Sequence, residues 1–268
     1  MRPLHETRAA KVARTKTLPV ATRLRLFTLE ARRQTRRRLT RVPIGFRRSH
    51  RLRVPGGVVW LDGAGVEIDY LTFCEIFVDE IFAARVTGCA VLDVGAHRGY
   101  YGAYALAGGA AAVYSYEPQS DNFATLERTA ASHARSSDWV VECCAVGSRP
   151  RTADLHVSSE SWSHSLYAPA SGDIVGVEQV TVRPFPDVLA DVQHREHGRP
   201  IVVKLNIEHA AGEVILGTPV RCWRTVQTLL FDYESGTREP LEDLLAHLKA
   251  AGLALRQWNG RNFRLEHT

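Results

Sequence analysis

From residue 88 onward, short apolar runs alternate with longer stretches that are apolar on one side only. Runs bounded by glycine, proline or an acid read as buried strands: 89–94 (CAVLDV), 112–117 (AVYSYE), 139–146 (WVVECCAV), 200–208 (PIVVKLNIE) and 226–234 (VQTLLFDYE). Strict alternation over 177–185 (VEQVTVRPF) predicts a further strand. Between them, helical spacing is expected over 99–107, 120–132, 186–192, 210–217 and 239–251. Upstream, Pro55-Gly56-Gly57 inside 51–63 predicts a hairpin, and 70–84 gathers Leu71, Phe73, Cys74, Phe77, Ile81 and Phe82 on one helical face. LALRQW and NFRLEH around Asn259-Gly260 predict a closing hairpin. Continuous apolar strands separated by amphipathic helices imply an α/β fold, with a mostly parallel sheet covered on both faces. Ligands of such sheets sit at the carboxyl ends of the strands. Asp93, Glu117, Asn206, Glu208, Asp232 and Glu234 all fall there.

Charge divides the chain. Residues 1–53 hold 17 Lys+Arg against Glu6 and Glu30, whereas the rest carries 17 basic and 27 acidic side chains. The sequence therefore splits into a basic arm, 1–53, partly helical or disordered, and an acidic body, 54–268. The arm is too poor in apolar residues to be expected in the core. Its candidate contacts are an anionic partner or a second copy of the chain. The five cysteines show no CxxC spacing and read as buried hydrophobes in a reducing compartment. No apolar run reaches about 18 residues, so no membrane span is expected, and nothing resembles a secretory signal. A cytoplasmic protein is the expectation.

The chemistry is carried by VLDVGAHRGYY, residues 91–101. A dinucleotide fold calls for G-x-G-x-x-G after its first strand, to receive a pyrophosphate on backbone amides. Here an acid precedes the turn and His97 occupies the place of the middle glycine. Asp93 would repel a phosphate but suits a ligand with an ammonium group, as in S-adenosylmethionine. Gly95 lets the backbone pass close under a ligand, and Gly99 lets the next helix pack. Glu117, 24 residues beyond Asp93 and followed by Pro118, stands where a carboxylate would take two ribose hydroxyls. Without a ligand, the same pattern reads as a tight strand-to-helix turn.

VLDVGAHRGYYGAYAL, VYSYEPQSDNFATL, AVGS (145–148) and VVKLNIE together resemble FkbM-type S-adenosylmethionine-dependent methyltransferases, over about residues 65–235. The resemblance implies a seven-stranded, Rossmann-like class I methyltransferase fold and methyl transfer, usually to oxygen, often on natural products or sugars. It implies S-adenosylmethionine as cofactor, held by Asp93, Gly95, Ala96, His97, Gly99, Glu117 and Pro118, with the adenine near Ala145. Two departures stand out. The family usually has Asn where this chain has His97. Its fourth-strand block reads Lys, apolar, Asp, apolar, Glu, Gly and then a second Glu, whereas residues 204–213 read KLNIEHAAGE. Asn206 replaces the acid, and His209-Ala210-Ala211 interrupt the Glu-Gly step before Gly212 and Glu213.

Methyl transfer needs alignment and, for a hydroxyl acceptor, removal of a proton. Glu208 is the candidate base, with a salt bridge to Lys204 as its structural alternative. Asn206 is a candidate for positioning the acceptor or the amino-acid end of the cofactor. His164, in the serine-rich loop SWSHSLY, is a third candidate and His97 an alternative to it. Asp232 and Glu234 flank the site or serve as caps. His194 and His197 lack a third ligand at fixed spacing, so no zinc site is expected; no metal is the leading reading, with a divalent ion on Glu208, Asp232 and Glu234 as the minority alternative. The leading reading is O-methylation of a small-molecule acceptor. The alternatives are an RNA-directed methyltransferase guided by the arm, for which no N-P-P-Y-like motif follows strand four, and a non-catalytic S-adenosylmethionine-binding protein.

Overall fold

The computed structural model describes residues 7–39, 50–61, 66–167, 172–234 and 237–268. Residues 1–6 and 40–49 of the expected arm, and 62–63 at the end of the expected hairpin, lie outside these. Two helices come first, α1 (Arg8–Arg14) and α2 (Val20–Leu39), followed by the hairpin β1 (His50–Val54) and β2 (Gly57–Leu61) and by α3 (Val66–Phe77). The strand–helix alternation then runs β3 (Ala90–Val94), α4 (Tyr100–Ala107), β4 (Ala112–Tyr116), α5 (Ser120–Ala131) and β5 (Trp139–Glu142). After β6 (Ala145–Gly147), β7 (Arg151–Ser158) and β8 (Ile174–Pro184) come α6 (Phe185–Glu196), β9 (Ile201–Leu205), α7 (Ala211–Gly217), α8 (Val220–Trp223) and β10 (Val226–Asp232). The chain closes with α9 (Leu241–Ala250), β11 (Leu253–Trp258) and β12 (Asn262–His267).

Seven strands form one sheet in the order β11-β12-β10-β9-β3-β4-β5. β5, β4, β3, β9 and β10 are parallel, and β12 is inserted antiparallel between β10 and β11. The order reverses between β3 and β9, and the crevice outside those two strand ends is where a doubly wound sheet holds its ligand. Strand alternation sends side chains to two cores. Val91 and Val202 face α3, α4 and α5, whereas Leu92, Val94, Val203 and Leu205 face α6, α7 and α9.

Two expectations are corrected. The run 139–146 is not one strand. The chain turns at Cys143-Cys144, so Trp139–Glu142 stay in the main sheet while β6 joins β8 and β7 in a separate three-stranded sheet. The alternating strand near 177–185 belongs to that small sheet, and β7 had not been anticipated. Nor does the arm stand apart. Val12, Leu18, Leu26 and Leu29 are buried in the same core as Phe73 and Tyr100. Glu30 accepts from the Tyr70 hydroxyl at 3.0 Å, and Arg8 and Lys11 reach Asp79 at 3.0 and 2.6 Å. A few apolar residues suffice because α2 lays only one face on the body, leaving Val20, Leu24 and Phe27 exposed. No helix among the described residues is long and apolar enough to cross a membrane.

Candidate active site

The turn after β3 is built by backbone geometry. Gly95, His97 and Gly99 adopt φ of 74°, 52° and 85°. At Gly95 a side chain is excluded twice, by the left-handed backbone and because a Cβ would overlap the Asn206 carbonyl. Gly95 and Ala96 N–H both donate to Tyr116 O at 3.0 Å, hooking the turn over β4. Gly99 precedes α4, and there a Cβ would press on Leu126 and Trp139.

Asp93 lies behind this turn. Its position in β3 puts it on the same face as Val91, fully buried, and opposite Lys204 in the β3–β9 register. Lys204 Nζ donates to Asp93 Oδ1 and to Gly95 O, each at 2.8 Å. Asp93 is not among the residues that border the adjoining cavity, and its Oδ2 has no hydrogen-bond partner. Lys204 serves the turn rather than Glu208. Ala96 likewise stays off the cavity wall.

A cleft opens beside the turn. Glu117, Pro118, Gly95 and His97 line one end, and Ala145, Val146, Leu155 and Leu166 supply an apolar wall. Glu117 is held by two backbone donors, His97 N–H at 2.8 Å and Gln119 N–H at 3.0 Å. Burial pushes its carboxyl up to about 7 against the pull of those two bonds. The remaining lone pairs on its oxygens can accept from a diol, and the apolar wall suits a flat ring. These residues fit an adenosine.

The loop 159–167 borders the cleft and is held there by a network that sequence reading missed. Arg98 pairs with Asp69 and donates through Nε to Asn122 at 3.1 Å. Ser161 donates to Asp69 Oδ1 at 3.1 Å, lies 3.2 Å from His97 Nε2, and its carbonyl accepts from Asn122 at 2.8 Å. His97 is thus a structural ring, and burial together with Arg98, His164 and Lys204 holds its pKa well down. His164 also lines the cleft, but Ser158 N–H donates to its Nδ1 at 3.0 Å. Its hydrogen therefore sits on Nε2, and burial lowers its pKa to about 4. It can donate into the cleft; it has no free lone pair for a proton.

A second cavity lies between α3 and the ends of β9 and β10. Asn206, Glu208, Thr72 and Trp162 line both cavities. Glu208 (φ 27°) and His209 (φ 63°) form the turn out of β9, both left-handed. His209 thus takes the conformation that glycine holds most cheaply, and Gly212 lies inside α7. The block is substituted at the turn rather than interrupted. Glu213 faces elsewhere, where Ser148, Arg151 and Tyr167 hold its carboxylate and lower its pKa to about 2. Glu208 is only 6% exposed, and burial plus the Glu234 carboxylate raise its pKa, so this pair of acceptors retains a proton. Arg261, from the β11–β12 turn, binds Asp232 through Nε at 2.7 and 2.5 Å and also pairs with Glu234. Asp232 and Glu234 are thus bound by an arginine that no sequence spacing revealed. Among the described residues no group of three His, Cys, Asp or Glu is placed to hold a metal ion.

No curated protein matches the chain. Among solved structures, methyltransferase FkbM from Methylobacillus flagellatus KT is 16% identical, covering 74% of this chain and 50% of its own, with a TM-score of 0.45. This chain therefore spans about half of that protein's length. Magnesium protoporphyrin IX methyltransferase from Synechocystis PCC 6803, solved with bound SAM, is 10% identical over 89% of this chain and 91% of its own, with a TM-score of 0.40. A putative RNA methyltransferase from Pyrococcus horikoshii is 11% identical over 77% and 87%, with a TM-score of 0.36. The family match is more specific. Residues 93–252, from the acid before the glycine turn to just past α9, match the Methyltransferase FkbM domain, and the chain belongs to that methyltransferase family.

Proposed function

We propose that the chain uses S-adenosylmethionine to methylate a hydroxyl of a small-molecule acceptor. The observation that carries this is the shared wall: Asn206, Glu208, Thr72 and Trp162 border both the cleft that fits an adenosine and the second cavity. When bound, S-adenosylmethionine supplies an electrophilic methyl on its sulfonium. Glu117 would accept the ribose hydroxyls, and Ala145 with Leu155 and Leu166 would cover the base. Asn206, whose N–H donates to Val94 O at 3.1 Å, is fixed at the junction and orients what enters from either side. Glu208, ionised, takes the hydroxyl proton there. The loop 159–167 excludes water, with Trp162 between the two cavities.

Incubating the purified chain with labelled S-adenosylmethionine and a panel of hydroxyl-bearing metabolites tests the reading. Transfer is expected for a member of the panel, and Glu208→Gln should reduce it at least a hundredfold while affinity for S-adenosylhomocysteine stays within about threefold. Full activity of the Gln variant would remove Glu208 as base. No affinity of the wild type for S-adenosylhomocysteine would overturn the function as a whole.

A further inference from the structure

The second cavity is unbalanced in charge. Its polar wall holds three carboxylates, Glu75, Glu208 and Asp232, and one cation, Arg261. That guanidinium is already committed to Asp232 and Glu234. Glu208 Oε2 is buried and has no hydrogen-bond partner, while the rest of its carboxyl lies against that of Glu234, with which it shares a proton rather than meeting a counter-charge. The residue itself is more than nine-tenths buried and lines the cavity. Glu75 stands on α3 among Ile68, Leu71 and Ile76, and Ile81 and Phe82 complete the apolar side.

We propose that this cavity takes an acceptor carrying a protonated amine next to an apolar body, with the ammonium received between Glu75, Glu208 and Asp232. The inference rests on the methyl-transfer reading and names the acceptor class for it: an amino alcohol or amino sugar rather than a neutral polyol. Physically, an ionised carboxylate can only accept, and several of them on one partly buried wall repel one another. Burial with Glu234 and Asp232 as neighbours raises the pKa of Glu208, and burial with Asp79 and Asp232 nearby raises that of Glu75. Arg8 and Arg261 pull Glu75 the other way without cancelling this. A polyol satisfies lone pairs but leaves the repulsion in place. An ammonium supplies three donors and the missing charge together. It also favours the ionised form of Glu208, the form a hydroxyl acceptor requires, so occupation of the cavity arms its own base.

Benzylamine and benzyl alcohol serve as probes of equal shape, titrated calorimetrically into the full chain with and without S-adenosylhomocysteine. Benzylamine is expected to bind at least tenfold more tightly and to release protons, seen as a dependence of the heat on the buffer's ionisation enthalpy. Glu75→Gln should weaken benzylamine about tenfold and leave benzyl alcohol unchanged. This variant removes a half-buried carboxylate whose ionisation burial opposes, so its thermal midpoint should not fall, and Glu242→Gln, exposed on α9 and away from the cavity wall, serves as the charge-matched control. Equal affinity for the two probes, or a Glu75→Gln variant that binds benzylamine like wild type, would overturn the proposal. If benzylamine binds through Glu75 while S-adenosylhomocysteine does not bind, the cation site stands and the methyl-transfer reading falls. The reverse result removes the acceptor class alone.

Discussion

The two sides of the shared wall are built on opposite principles. On the cofactor side, each carboxylate is answered within the protein: Lys204 neutralises Asp93 and binds the Gly95 carbonyl, and two backbone amides bind Glu117, so that of these four carboxylate oxygens Asp93 Oδ2 alone lacks a hydrogen bond. On the acceptor side, Glu208 Oε2 is buried without a hydrogen-bond partner beside the Glu234 carboxyl, and Arg261 is shared by Asp232 and Glu234. A turn that must hold one conformation gains from having its polar groups satisfied before any ligand arrives, because an orphaned buried group costs about 1–3 kcal/mol. A cavity that must choose among acceptors can leave groups for the acceptor to satisfy. The same wall thus separates a preorganised half from a half completed by its ligand.

The largest effect that would break this contrast is Lys204→Met. It leaves Asp93 buried without its counter-charge and frees the Gly95 carbonyl, and should lower folding stability by about 3–5 kcal/mol. Denaturant unfolding of the two proteins measures it, and a loss below about 1 kcal/mol would show that the pair does not hold the turn. Glu117→Ala comes next. It should weaken S-adenosylhomocysteine binding by about 1.5–3 kcal/mol, roughly ten- to a hundredfold, since a charge-assisted acceptor and the anchor of the His97 and Gln119 amides disappear together. Calorimetry reads it directly, and unchanged binding would move the ribose contact elsewhere.

The smallest effect sharpens the comparison through pH. Glu117 has its carboxyl raised from 4.5 to about 7 in the folded chain. The folded state therefore binds more protons than the unfolded one between those values, and this group makes stability fall as pH rises through that window. A diol hydrogen-bonds better to the ionised carboxylate, so S-adenosylhomocysteine affinity should rise from about pH 6 to 8. Glu117→Gln should flatten that profile. A flat profile in the wild type would show the carboxyl to be ionised already.

Much of this molecule is local, and local features are legible. The apolar runs that became β3, β4, β9 and β10, the left-handed turn at Gly95 and Gly99, and Glu117 at a strand tip each follow from a few neighbouring residues. Sequence patterning could not say that 139–146 divides between two sheets, because an apolar run looks the same whichever strand it pairs with. It also misjudged the arm: burying Val12, Leu26 and Leu29 against Tyr70 and Phe73 depends on a partner surface far along the chain.

By itself, then, the sequence determined the α/β alternation, the family and the identity of the strand-end acids, since period, turn chemistry and short motifs act over a few residues. Tertiary structure alone decided what those acids do. The pleat of β3 turned Asp93 inward to Lys204, the turn out of β9 set Glu208 against Glu234, and the closing hairpin brought Arg261 to Asp232. A carboxylate's role depends on the charges and solvent around it, and those arrive from residues tens to more than a hundred positions away.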